Sequence, residues 1–431
     1  MTEQQKIPIL SISGTASFAC LCSDCPRICC TTEWDIFVSQ RNYDHVMALP
    51  DPELKLLAKK HMRIVESPGP AKYAKITSDR PDKLCPFLDD KQLCSLQLRH
   101  GHSILSFTCQ SYPRQLIHWD DHYELSASLS CPAIARMLAN KNPAEFDLDA
   151  LPQPFSTRHT ISSVQILKQD PHSLAEYIAP IREAAIDLLQ MRQFSITLRL
   201  LLVGFFCQRL EKKRAAGETQ NILAFVDQFL SLAAAGKLNA NLEAIPVSEN
   251  MYQAILPTLF RHLFGQLHKD GTNLISSSFT GLGMPAEALE AVLARKPIDI
   301  NIQEVYANYR ESCAKSCDVF YEANAHLWEN YFIHYVMFHF FPFEYLFEPG
   351  KMRELGPFHS FFSMVDGYVQ LRFLLAGKAR EKGFMNEDLF IETISEFATL
   401  TFHSDFLSRS SELFQAANMG DLSYAAQLVI N

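Results

Sequence analysis

Cys20-Leu21-Cys22-Ser23-Asp24-Cys25-Pro26-Arg27-Ile28-Cys29-Cys30 crowds five thiols into one short, largely polar stretch. Cys85, Cys94, Cys109 and Cys131 follow at wider intervals, and only Cys207, Cys313 and Cys317 lie beyond them. Thiolates are soft ligands, and four around one point hold Zn²⁺ or an iron–sulfur cluster and little else. Packing as a small hydrophobe suits Cys207 in Leu201-Leu202-Val203-Gly204-Phe205-Phe206, but not thiols flanked by Ser23, Asp24, Pro26 and Arg27. A disulfide framework belongs to short secreted chains, and Met1-Thr-Glu-Gln-Gln-Lys-Ile-Pro8 has no apolar signal segment. Thiol–disulfide exchange at Cys22-x-x-Cys25 needs one such pair, not nine thiols. The first third of the chain is therefore expected to organise around metal.

Spacing refines that expectation. Adjacent Cys29 and Cys30 project in different directions, so they suit one ion poorly; they feed two neighbouring sites, or one of them packs. Two CxxC pairs, or CxxC with a His pair, are not present, and His100 and His102 are the imidazoles nearest the later cysteines. An all-thiolate site follows, which tilts toward a four-iron cluster with Cys₄ zinc as the alternative. Spacing does not identify the metal.

The 431 residues are enough for two or three domains with a large core, being 48% hydrophobic. A net charge of -9 and the lack of any basic run argue against nucleic acid as the main partner. The most apolar stretch, Phe194 to Leu210, carries Arg199 and Gln208 and reads as a buried helix, so no membrane partner is expected. Reduced thiols without an export signal point to the cytoplasm. Only 16 glycines leave few tight βα turns, and Gly281-Leu-Gly283-Met-Pro285 lacks the strand–turn–helix context of a phosphate loop.

The expected fold is mainly α. Residues 1–140 form a cysteine-rich module with little strand, 141–165 a proline-bearing linker, and 166–431 an all-helical domain. Within the module, Glu33–Val38 alternates like a strand, and Asp51–Ile64 opens with an Asp-Pro helix start. Apolar residues at three- and four-residue steps predict helices over Leu174–Met191, Phe194–Lys212, Asn221–Leu238, Met251–Leu267 and Ala286–Arg295. The same pattern covers Cys317–Phe340, Phe361–Leu375 and Leu389–Phe402.

The segment from His326 to Pro342 mixes aromatic and polar side chains, and His326, Asn330 and His334 share a helical face. It reads either as a core helix with satisfied polar groups or as a pocket wall. In the second case Trp328 and His334 would receive a cofactor, and Glu329, Asn330 and Tyr331 would orient reacting atoms. Cys313 and Cys317 nearby are expected to pack.

Cys25-x-x-x-Cys29-Cys30 followed by Trp34 resembles the opening of the flagellin lysine N-methylases, within a wider bacterial group carrying a CxxCxxxCC motif. Cys85-Pro-Phe-Leu, Leu93-Cys94-Ser-Leu and Leu105-Ser-Phe-Thr108-Cys109-Gln-Ser-Tyr112-Pro113-Arg114 are similar to the family's second segment. Glu124 to Pro132 is similar to its third, and Glu329-Asn-Tyr-Phe to a motif in its C-terminal half. The wider group places its first cysteine at Cys22, the methylase branch at Cys20, so the first ligand is ambiguous. The resemblance implies S-adenosylmethionine-dependent methylation of lysine ε-amino groups on flagellin, with an iron–sulfur cluster required. That cluster could supply electrons, hold the cofactor, or brace the fold; the three-cysteine radical signature in its usual form is absent. A zinc-binding adaptor or chaperone and a cluster-bearing redox protein are the competing readings.

Overall fold

The computed structural model describes residues 8–119, 122–150, 160–163, 174–248, 272–285, 301–343, 345–348, 351–354, 356–401 and 421–430, with positions 250, 287, 288, 290 and 412. It is mainly α, and it divides into two compact units: Met1–Ile134 with Phe146–Ser163, and Ala135–Glu145 with Val164–Asn431.

The first unit is built on two small sheets. A five-stranded sheet runs β7-β1-β6-β5-β8, from Pro8–Ile12 (β1), Arg114–Trp119 (β5), His122–Ala127 (β6), Phe146–Ala150 (β7) and Thr160–Ser163 (β8). β5 and β6 form an antiparallel pair that sets Leu116 opposite Leu125, and both side chains are buried with Ile9. The stretch expected as a linker, 141–165, thus supplies two strands. Phe146-Asp-Leu148-Asp-Ala150 has the two-residue alternation of a strand, which its polar, proline-flanked setting masks. A second sheet runs β2-β4-β3, from Phe37–Val38, Ala74–Ile76 and Met62–Ile64. Of the strand expected at Glu33–Val38 only its last two residues pair, Trp34 instead donating its ring N–H to the Cys29 carbonyl at 3.0 Å. The helix expected to Ile64 spans Pro52–His61, where Asp51 caps the N-terminus by accepting from the Glu53 and Leu54 amides. Met62–Ile64 leaves it to join the sheet.

The second unit centres on the Pro357–Lys382 helix, buried at nearly every position from Pro357 to Ala379. A helix buried on all faces belongs inside a bundle, and around it pack Ile196–Ala215, Thr272–Gly281, Ile302–Ser312, Glu387–Thr401 and Leu422–Ile430. It exceeds the expected Phe361–Leu375 because Pro357 starts it and Gly383, at φ +79°, ends it. Ile178–Leu189 and Ile222–Ala234 occupy the expected positions, Met251–Leu267 lies outside the described residues, and so does most of Ala286–Arg295. The Cys317–Phe340 segment is interrupted: a π turn covers Cys313–Cys317, then helices Asp318–Ala323 and Ala325–Phe338 meet at Asn324. One hairpin departs from the all-helical expectation, Tyr345–Glu348 (β9) paired antiparallel with Lys351–Glu354 (β10). Among the described residues no helix is long and apolar enough to cross a membrane.

Candidate metal centre and the aromatic helix

All twelve cysteines are free thiols, and those up to Cys131 belong to the first unit. Backbone pairing explains how distant ones meet. The Cys85 amide donates to the Cys30 carbonyl at 2.9 Å beside an antiparallel bridge between Thr31 and Leu84. Leu88 and Cys94 form a second bridge, and the Ser95 amide donates to the Phe87 carbonyl at 2.8 Å. Cys85 is buried with Phe87 and Leu96, and Cys30 and Cys94 pack on the same core. Cys109 sits in the first turn of the Phe107–Ser111 helix, its amide capped by the Ser106 hydroxyl at 3.3 Å.

Cys20, Cys29, Cys30, Cys85, Cys94 and Cys109 line one cavity of about 350 Å³. Its wall includes Trp34 and Tyr112, whose ring centroids are 5.3 Å apart, and Phe18, which lies beneath the Arg114 guanidinium. His102 is also on this wall, whereas His100 faces Asp51 at 3.8 Å. Of the two competitors for the first position, Cys20 faces the cavity; Cys22, at φ +52°, turns its thiol onto the Cys20 carbonyl. Cys25 donates to the Arg27 carbonyl at 3.0 Å, and Arg27 donates to the carbonyl of Ser130, the residue before Cys131. Among the described residues no group of three or more His, Cys, Asp or Glu side chains is placed to hold a metal ion, although six thiols share one cavity.

The donor chemistry fits a soft metal. Burial pushes the Cys85 thiol well above its ordinary range, and Cys109, Cys30 and Cys94 act in the same direction. The hydrogen bond to Cys30, then burial, raises Cys29, while Cys30 is lowered by the same bond. A crowd of like-charged thiolates in a half-buried site is unfavourable by itself, and a bound cation reverses that balance.

The Ala325–Phe338 helix has a different character. Glu329, 1% exposed, accepts hydrogen bonds from Arg192 (2.7–3.1 Å) and from Arg199 (2.7 Å). Arg199 also donates to the Leu189 and Phe194 carbonyls. Asn330 donates to the Leu138 and Asn140 carbonyls at 2.9 and 2.7 Å. Trp328 is fully buried and sits edge-on to Tyr368 and Phe390, with centroids at 4.7 and 4.9 Å. Burial raises the Tyr331 phenol. His334 stacks on Phe338, and burial lowers His326. Glu329 and Asn330 are committed to hydrogen-bond partners within the second unit, as a core helix requires, whereas the buried Trp328 ring N–H has none. The sequence signal for the Glu329 partner was Arg199, a charge within the most apolar stretch of the chain.

The profile of the FliB lysine N-methylase C-terminal domain matches residues 182–428, more than half of the chain. A lysine-N-methylase of Salmonella typhimurium strain LT2 is 26% identical over 136 residues, which are 32% of this chain and 33% of that protein. The lysine-N-methylase of Salmonella choleraesuis gives the same figures. A protein named flagellar biosynthetic protein FliU, from Salmonella muenchen, is 25% identical over 136 residues, 32% of this chain and 79% of its own length. The chain thus spans about one third of the length of the curated lysine-N-methylases it matches. No solved structure matches.

Proposed function

The chain belongs to the FliB lysine N-methylase family, and from that premise we propose that it methylates lysine ε-amino groups of flagellin. The methyl donor in this reading is S-adenosylmethionine, and the N-terminal cysteines hold an iron–sulfur cluster. The observation that carries it is the joint occurrence, in one chain, of the family's C-terminal domain and a cavity lined by six thiols. The reaction belongs in the cytoplasm, where thiols stay reduced.

In the transfer, a deprotonated lysine nitrogen attacks the sulfonium methyl carbon, and the carbon–sulfur bond breaks with its electron pair passing to sulfur. The proton leaves the ammonium group beforehand, which burial of the lysine favours. Aromatic faces suit a sulfonium because they attract a cation without offering a nucleophile. Trp34 and Tyr112 supply such faces on the cavity wall, and about 350 Å³ falls within the range of small-molecule sites. We therefore assign the donor to this cavity instead of the aromatic helix, where Glu329 is tied to two arginines and stabilises the fold. When bound, the cluster supplies thiolate–iron bonds that fix the loops carrying the cysteines.

Purified flagellin incubated with S-adenosylmethionine and oxygen-free, metal-replete protein should gain mass in single-methyl steps on lysine peptides. No gain under those conditions would remove the methylase reading.

A further inference from the structure

We propose that Arg114 is a carboxylate-binding residue of the thiol-lined cavity, taking the carboxylate of S-adenosylmethionine while the Trp34 and Tyr112 rings receive its sulfonium. The inference rests on the reading that the donor occupies this cavity, and it names the residue that orients the donor there.

The charge on the cavity wall is one-sided. Among the described residues that line it there is no aspartate, glutamate or lysine, and Arg114 supplies the one guanidinium. Two of the neutral polar side chains on the wall are already engaged. Gln110 donates to the Leu105 carbonyl at 2.6 Å, and the Ser106 hydroxyl accepts from the Cys109 amide at 3.3 Å. An anionic group entering here meets a guanidinium and no competing carboxylate.

Arg114 is also held in place. It opens β5, where it lies opposite Ala127 of β6. Its guanidinium donates to the Phe18 carbonyl at 3.2 Å and lies 5.4 Å from the centroid of the Phe18 ring. These contacts fix the guanidinium plane before a ligand arrives, so less side-chain freedom is lost on binding. The N–H donors of a guanidinium form a planar fork that matches a carboxylate two at a time, which a lysine cannot reproduce.

Spacing carries the assignment further. Tyr112 and Arg114 both line the cavity and are two residues apart, so their Cα atoms lie within about 7 Å of each other. In the donor a short aliphatic chain joins the sulfonium to the carboxylate. The same reach sets the cation against Tyr112 and Trp34, whose ring centroids are 5.3 Å apart, and the anion at Arg114.

Isothermal titration calorimetry of oxygen-free, metal-replete protein with S-adenosylmethionine and with its decarboxylated analogue tests this by binding alone. Wild type should bind the full donor roughly 10–100-fold more tightly, the range expected for hydrogen bonds between charged groups. Arg114→Gln should bind both compounds with the same weak affinity, Arg114→Lys should recover part of the preference, and both variants should keep the wild-type metal content. Equal wild-type affinity for the two compounds overturns the proposal without any substitution and leaves the donor in the cavity. Arg114→Gln that still prefers the carboxylate overturns it as well. So does loss of metal from Arg114→Gln, which would place the guanidinium in the service of the thiols. No binding of S-adenosylmethionine to wild type removes the donor reading itself.

Discussion

Glu329→Gln separates a structural carboxylate from a reacting one. The substitution keeps the shape of the side chain and removes its charge, leaving Arg199, 4% exposed, opposite a neutral amide. Removing one partner of a buried ion pair costs about 3–5 kcal/mol, because the other charge stays buried without compensation. The Arg192 half adds little, since its side chain is 41% exposed and solvent screens it. For a domain of this size the loss lowers the melting temperature by roughly 6–20 °C. Differential scanning calorimetry of the full chain should show this drop, with metal content unchanged because the thiols belong to the first unit. If Glu329→Gln melts within a few degrees of wild type but loses methyl transfer, the carboxylate acts in the chemistry and its assignment to the fold fails.

Other perturbations test the second unit. Gly377→Ala would place a methyl group on the Ser278 carbonyl where Pro357–Lys382 crosses Thr272–Gly281, so it should destabilise by about 1–3 kcal/mol. A thermal melt showing the gain of about 1 kcal/mol typical of Gly→Ala in an open helix would contradict that close crossing. Burial pushes the His339 imidazole down to about 3, with His334 adding to the effect. The unfolded chain binds this proton near pH 6.5, so the stability contributed by neutral His339 is complete above that value and declines as pH falls toward 3. Denaturant titrations from pH 7 to 4 should show wild type losing its advantage over His339→Gln; a constant difference would contradict a neutral ring in the folded state. Asp51→Ala should cost about 1 kcal/mol by uncapping Pro52–His61, measurable as a lower denaturation midpoint of the first unit.

The cysteine set was legible because its chemistry lies in residue type. What the linear pattern withheld was the long-range pairing. Ile12 lies opposite Phe146 only because β7 returns to β1 across the whole unit, and no local periodicity announces such a partner. The helices of the second unit were legible from their apolar spacing, while the Tyr345–Glu354 hairpin was hidden in a run of aromatics that suits helix or strand equally. Glu329 is the most instructive case. Polar residues among aromatics suggested a pocket, and the arginine that explains the burial lies 130 residues earlier in the chain.

The central claim, that a lysine methylase depends on metal held by the first unit's thiols, has one direct test. Methyl incorporation into flagellin lysines can be measured by mass spectrometry against iron and sulfide content across samples from fully stripped to fully reconstituted. Incorporation should rise in proportion to cluster occupancy and vanish in stripped protein. Equal incorporation at every occupancy, or none in the fully reconstituted sample, would contradict the account.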